Sequence, residues 1–496
     1  MKSISNAVGA GALCLAAWTA AAAAAAAPLS PADQRAVIAA VDAATPKMND
    51  AALKIWSYAE LGYLETKSSG LLQSQLKSAG FTVRAGVADE PTGFVASFRN
   101  GPGPVVAILA EFDALPGLSQ AAAPTKQPIA GNDNGHGCGH NLFGAASVAS
   151  AIALKQWMVA NKIGGEVRVY GTPAEEGGSG KVYMVRDGLF KDVDVTLHWH
   201  PGNANSARQG TSMANISGKF RFRGQSAHAA GAPWAARSAL DAVEIMNVST
   251  NYLREHIPDR TRIHYVVTNG GKAPNVVPDF AEVYYYVRNA NPKIVVDVMD
   301  KVKRAADGAA MITGTTVEFE QTGGVYNLLP NDALGKVMQE SLETVGGISW
   351  TAEETAFARE LAKSLPNGGG DLSSVSRVVP YQPASLDGDL AGGSTDVADV
   401  SWVTPTVGLS TATFVPGSAG HSWQNVAAGG MTIGLKGAQT AAKTLALTGA
   451  RVLTDPELVA AAKAELAERR GSDFTYKALV GDRKPPLDYR KAAGAE

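Results

Sequence analysis

The feature that most constrains this chain is a near-continuous apolar run at residues 104–110 that stops in Glu111-Phe112-Asp113. Such a run suits a strand covered on both faces, as in a parallel sheet. Open α/β sheets gather their active sites beyond the carboxyl ends of such strands, which is where these two carboxylates fall. The surrounding sequence keeps a strand–helix alternation. A short strand is expected at 93–99, a helix at 142–159, strands at 166–170 and 193–197, and a later strand at 406–414. Upstream, residues 31–62 and 65–79 carry helical spacing, the second with Leu71, Leu72 and Leu76 before a stop at Gly80. The alternation predicts an α/β fold.

The pattern changes near Ser212. Residues 215–222, 262–268 and 282–288 alternate apolar and polar, as half-buried antiparallel strands do, and helices are expected at 237–255 and 292–311. From 331 to 447 the strand–helix style returns. One domain inserted into another explains this order, and 496 residues exceed the length at which chains usually divide. The expected parts are a catalytic α/β domain at 28–211 and 325–447, an α+β insertion at 212–324, and a C-terminal helical extension at 448–496. Gly210, Gly323 and Gly324 offer hinges.

At the N-terminus, Lys2 precedes an apolar stretch that ends in Ala25 and Ala27 ahead of Pro28. This is the pattern of a secretory signal at 1–27 with an A-x-A-like cleavage site. An uncleaved anchor is the alternative, since the stretch approaches the roughly 20 residues that span a bilayer. Leu13 before Cys14 argues against lipidation. The expectation is an exported chain, periplasmic or secreted, with no membrane association after cleavage. With 44 Lys+Arg against 46 Asp+Glu, the basic footprint of a nucleic-acid binder is missing. Once the signal leaves, Cys138 is the remaining cysteine, so no disulfide forms within the chain. A lone thiol in an oxidising compartment calls for a reason.

Its neighbours supply one. Gly135-His136-Gly137-Cys138-Gly139-His140-Asn141 combines thiolate and imidazole, both transition-metal ligands, with glycines that let the backbone close around an ion. A structural zinc site would want four ligands with paired spacings, and no second cysteine pair exists. In Thr172-Pro173-Ala174-Glu175-Glu176-Gly177-Gly178, one carboxylate can bind a cation while its neighbour handles protons. In Leu197-His198-Trp199-His200-Pro201, alternation points both histidines to one side. His421 lies in Gly420-His421-Ser422, after the strand at 406–414. Singly, each has a plain explanation: a hydrogen-bonded structural histidine, a solvated acidic loop, a small buried cysteine. Four separate segments of this kind, mostly at strand ends, are hard to explain together without metal. A redox role for Cys138 lacks a resolving partner.

At these places the sequence resembles the two-metal metallopeptidase family that includes the aminoacylases and glutamate carboxypeptidases. Within it the chain looks most like the amidohydrolase branch, and there like the p-aminobenzoyl-glutamate subgroup. The resemblance also rests on Ala110-Glu111-Phe112-Asp113-Ala114-Leu115-Pro116, Ser226-Ala227-His228-Ala229-Ala230, Pro274-Asn275-Val276-Val277-Pro278 and Ser394-Thr395-Asp396-Val397. It implies a binuclear metallo-amidohydrolase in which Cys138, His140, Glu176, His200 and His421 hold two divalent ions, zinc or manganese, with Cys138 shared. Glu175 matches the general base and Asp113 an acid that orients a ligand. His228, Asn275 and Arg288 match groups that an inserted lid and dimerisation domain offers to substrate, often across a dimer interface. The Trp-His-Pro context favours His200, although the assignment can slip to His198, and His136 receives no role.

The implied reaction is cleavage of the amide bond of N-acyl amino acids, p-aminobenzoyl-glutamate-like ones first, by metal-activated water. A dipeptidase or carboxypeptidase, or a broad N-acyl-amino-acid amidohydrolase, is the alternative. Asn141 stands where many relatives carry Asp, which bears on specificity more than on catalysis. The implied partner is a second copy of the chain, in a dimer or larger assembly, or a separate A-type subunit.

Overall fold

The computed structural model describes residues 29–207, 210–384 and 393–491. The expected signal at 1–27 lies outside them. Among the described residues, the strands in chain order are β1 (Thr82–Ala85), β2 (Phe94–Arg99), β3 (Val105–Ala110), β4 (Leu115–Pro116), β5 (Asn134–Gly135), β6 (Glu166–Gly171) and β7 (Val195–Gly202). They continue with β8 (Ala214–Arg223), β9 (Arg262–Asn269), β10 (Phe280–Asn289), β11 (Thr316–Val325) and β12 (Thr406–Ala412).

The apolar run at 104–110 becomes β3, buried at every residue. It sits inside a six-stranded sheet of order β1-β2-β6-β3-β7-β12. From β6 to β12 the strands are parallel, and β1 and β2 add an antiparallel edge. Helices His140–Asn161 and Thr432–Thr454 pack on this sheet, and helix Pro31–Tyr58 packs on both of them. Helix His140–Asn161 is long and apolar enough to cross a membrane, but its burial in the core accounts for that composition. The chain is thus α/β, as the alternation predicts.

Two strands differ from expectation. β7 continues through Gly202, so His198 and His200 lie within it rather than beyond its end. Pairing with β12 carries it on, His198 opposite Gly408 and His200 opposite Ser410. β11 is not apparent in the sequence pattern. Its alternation, Val317 and Phe319, breaks at Thr322-Gly323-Gly324, where the register against β8 shifts.

β8 to β11 form a separate antiparallel sheet of order β11-β8-β10-β9. Helices Ala239–Leu253 and Pro292–Thr313 pack on it around a core of its own, including Phe220, Met246, Tyr285 and Val302. The chain enters and leaves this module side by side. Thr211 Oγ1 donates to the Leu328 carbonyl at 2.8 Å, and the Leu328 N–H donates to Ser212 Oγ at 2.9 Å. Helix Thr432–Thr454 passes residue 447 without a break, and the Asp455 carboxylate caps the next helix, Pro456–Arg470.

Asp399, in the short helix Val397–Ser401, is fully buried. It accepts from the Tyr476 hydroxyl at 2.6 Å and the Tyr326 N–H at 3.0 Å. Burial outweighs these bonds and pushes its carboxyl up to about 7. An unfolded Asp titrates near 3.9, so between about pH 4 and 7 the folded protein holds a proton that the unfolded chain has released. Stability therefore falls as pH rises through that window. Asp399→Asn is expected to flatten the loss of melting temperature between pH 5 and 8. Thermal melts of both proteins at the two pH values check this, and an unchanged slope excludes Asp399 as a source.

Candidate metal centre

Strand ends and one helix start deliver the site. β3 leads into Glu111 and Asp113, both buried. Helix His140–Asn161 opens at His140 behind Gly139, whose φ of +78° and contact with Pro201 leave no room for a side chain. After β6, the turn bearing Glu175 and Glu176 begins at Ala174, which holds an unfavourable left-handed φ of +57°. Two buried acids hold that turn. Glu65 Oε1 accepts the Ala174 N–H at 2.9 Å, and Asp113 Oδ2 accepts the Glu176 N–H at 2.9 Å. β7 supplies His200. The loop after β12 supplies His421, again left-handed at φ +55°.

These segments converge. The donor atoms of Cys138, His140 and His200 lie within 4.8 Å of one another. So do those of Cys138, Glu176 and His421, and those of His140, Glu175 and Glu176. Cys138 Sγ is 3.3 Å from His200 Nε2, and His421 Nε2 is 3.1 Å from Glu176 Oε1. Asp113 Oδ1 meets His140 Nδ1 at 2.8 Å, which turns His140 Nε2 toward the cluster.

The chemistry of the cluster suits divalent cations. Buried His140 Nε2 and Glu111 Oε2 lie 3.0 Å apart and Glu176 Oε1 lies 3.1 Å from His421 Nε2, yet none of the three buried atoms makes a hydrogen bond. Such orphans are costly unless something satisfies them. Burial, with Glu176 and Glu175 adding to it, pushes the Cys138 thiol well above its ordinary range. Burial and the Glu111 and Glu176 charges push the Glu175 carboxyl up as well. A cation at this point reverses the sign of the local potential and favours the thiolate and carboxylates.

A residue with no distinguishing sequence pattern, Lys181, supports the cluster. Lys181 Nζ reaches Glu111 Oε1 and Asp396 Oδ1, both at 2.7 Å, with all three side chains buried. Lys181→Met leaves buried Asp396 without its counter-charge and Glu111 with His140 alone, a loss expected to cost about 3–5 kcal/mol. Denaturant unfolding measures it, and a change below about 1 kcal/mol would mean that the carboxylates find other partners.

Other expected residues lie elsewhere. His136 is buried, with Nε2 3.0 Å from the Ile55 carbonyl, and burial pushes its pKa down to about 3, so it is a neutral structural donor. His198 belongs to none of the three donor groups, and its ring lies over Gly408. His228 and Asn275 are exposed on the four-stranded module. The His228 Nδ1 accepts from the N–H groups of Ala230 and Gly231 at 3.2 and 3.1 Å, which leaves its proton on Nε2. Arg288, on β10, has its guanidinium 5.3 Å from the centroid of the Tyr286 ring. Among the described residues, no hydrogen bond or ion pair joins these three to the cluster.

The sequence model of peptidase family M20/M25/M40 matches residues 107–475. The chain belongs to that family and is a hydrolase. It is 42% identical to the B-type subunit of p-aminobenzoyl-glutamate hydrolase from Escherichia coli K12, over 85% of this chain and 92% of that one. It is 31% identical to the Xaa-Arg dipeptidase of Mus musculus, over 68% of this chain and 76% of that one. Among solved structures it is similar to an aminobenzoyl-glutamate utilization protein from Klebsiella pneumoniae, with a TM-score of 0.56 at 19% identity, covering 84% and 97% of the two chains. A dinuclear metal-binding M20 peptidase from Bacillus subtilis gives a TM-score of 0.56 at 18% identity, covering 84% and 99%.

Proposed function

We propose that this chain is a two-metal amidohydrolase of N-acyl amino acids, with p-aminobenzoyl-glutamate-like amides as its first substrates. The observation that carries the reading is a pair of donor groups that meet at Cys138, with Glu175 beside both and in neither. Cys138, His140 and His200 would hold one ion, and Cys138, Glu176 and His421 the other, zinc or manganese. Bound there, the ions supply the Lewis acidity that brings the pKa of water from about 15.7 toward about 7.

Glu175 takes the proton from the attacking water and returns it to the departing amine, a contribution of about 10²–10⁴ in rate. Asp113 keeps His140 and the Glu176 backbone in place, one with each oxygen. The His228 Nε2–H is a donor for the oxygen of the scissile carbonyl, and Asn275 and Arg288 suit the substrate carboxylate. Because these three stand apart from the cluster, the reading needs module closure, a second copy, or an A-type subunit to bring them in. Export is part of the same reading, drawn from Lys2 and the apolar stretch that ends in Ala25 and Ala27, and N-terminal sequencing that finds a mature start near Pro28 tests it.

A dipeptidase is the second reading, favoured by the similarity to the Xaa-Arg dipeptidase. Metal analysis, together with amine release from p-aminobenzoyl-glutamate, several N-acyl amino acids and dipeptides, separates the two. Two ions per chain with glutamate released from p-aminobenzoyl-glutamate support the first reading. Two ions with activity on dipeptides alone support the second. A protein that takes up no metal and releases no amine refutes both.

A further inference from the structure

Beyond Gly471 the chain forms no helix or strand among the described residues, yet it is tied down along its length. The Tyr476 hydroxyl donates to Asp399 at 2.6 Å, and the Tyr326 hydroxyl donates to the Lys477 carbonyl at 2.9 Å. Ala478 and Val480 pack on the core of the large sheet, while Leu479 between them packs on the core of the four-stranded module. On β11, the Gln321 amide donates to the Leu479 carbonyl and Thr322 accepts from Arg483. Arg186 Nη1 donates to the carbonyls of Gly481, at 3.2 Å, and Arg483, at 2.6 Å.

The segment ends against the turn that carries the two central carboxylates. Tyr489 Oη donates to the Glu176 carbonyl at 3.3 Å, and Arg490 Nη2 donates to the same oxygen at 2.5 Å. The Tyr489 ring meets Tyr63 edge-on with centroids 5.9 Å apart, and its hydroxyl fills the space that a side chain at Gly62 would need. The Glu176 residue is therefore held at both ends, its N–H by Asp113 and its carbonyl by the C-terminal segment. A turn that starts from a left-handed Ala174 does not keep such a shape by local preference. These contacts lie past residue 475, where the family match ends.

We propose that residues 476–491 are a strap that holds the Glu175–Glu176 turn from behind and couples it to the four-stranded module, with Tyr489 and Arg490 as positioning residues. This rests on Glu175 being the general base. A displacement of the base by about 1 Å costs on the order of 10²-fold in rate, so the strap acts chiefly on kcat at saturating metal, where the Glu176 side chain still reaches its ion.

The test uses the full metal-loaded chain with Arg490→Ala, Tyr489→Phe, the double variant and Arg490→Lys. The double variant is expected to lose about 10- to 10²-fold in kcat at saturating metal, with KM within about 2-fold and two ions still bound. Hydrogen exchange over residues 172–180 is expected to quicken, because the Gly177 and Gly178 N–H groups close this turn onto Glu175 and Ala174. Arg490→Lys is expected to recover part of both effects. A lowered melting temperature with kcat and exchange unchanged overturns the proposal, since a purely structural tail would behave that way. If the wild type proves inactive, the reading of Glu175 fails, but the exchange data still decide the strap. Leu479→Ala tests the coupling: faster exchange in both β11 and the turn supports it, and a response confined to β11 overturns it.

Discussion

Glu175→Ala is expected to lower kcat by about 10²–10⁴-fold while bound metal and melting temperature stay near those of the wild type. The residue sits beside the donor groups that share Cys138, so its removal takes away a proton carrier and leaves those ligands intact. Its surroundings suit the task. Burial and the charges of Glu111 and Glu176 raise its proton affinity, and a cation in the cluster offsets that rise. A base so balanced can take a proton from water and release it to an amine. Glu175→Gln keeps the shape and should lose as much. Glu176→Ala should instead lose metal together with activity, because its Oε1 faces His421 at 3.1 Å. Glu175 also stands within reach of His140 and Glu176, so metal lost from Glu175→Ala would make it a ligand. Wild-type turnover in that variant would sink the mechanism.

How much of this site was legible follows from where its signals lie in the chain. β3 reads clearly because a strand buried on both faces needs a run of apolar residues, and this one has no polar residue from Val105 to Ala110. Cys138, His140 and His421 read clearly because uncommon residue types stand among glycines, and Glu176 because an acidic pair ahead of two glycines closely follows a strand. Lys181 carried no such mark. It begins an ordinary helix, and only folding brings it to Asp396, 215 positions away. Arg490 meets Glu176 across 314 positions, from a tail whose composition suggests nothing beyond a polar end. β11 escaped because glycines interrupt its alternation just where the strand shifts register. His228, Asn275 and Arg288 show the reverse case. Resemblance names them, whereas the geometry of one chain leaves them apart from the cluster.

Removing divalent metal is expected to lower the melting temperature markedly, and Cys138→Ser to lower the bound metal by at least half. Glu111, Asp113, Glu175 and Glu176 crowd the centre together with Cys138, and among the described residues Lys181, His140 and His421 are cationic groups the chain itself places against them. An ion that binds only the folded state adds about 2.7 kcal/mol at a hundred times its Kd and about 4.1 kcal/mol at a thousand times. Here the gain includes satisfying His140 Nε2 and Glu176 Oε1, which are otherwise buried without a hydrogen bond. Cys138 stands in two of the donor groups, so its loss weakens both, whereas His421→Ala should spare the group formed with His140 and His200. His198→Gln should keep the metal and His200→Gln should lose part of it, which separates two histidines that strand alternation points to the same side. Metal analysis and thermal melts before and after chelation check the series. A melting temperature indifferent to chelation, with two ions still bound to Cys138→Ser, would show that the cluster is held by its own hydrogen bonds and that the metal sits elsewhere.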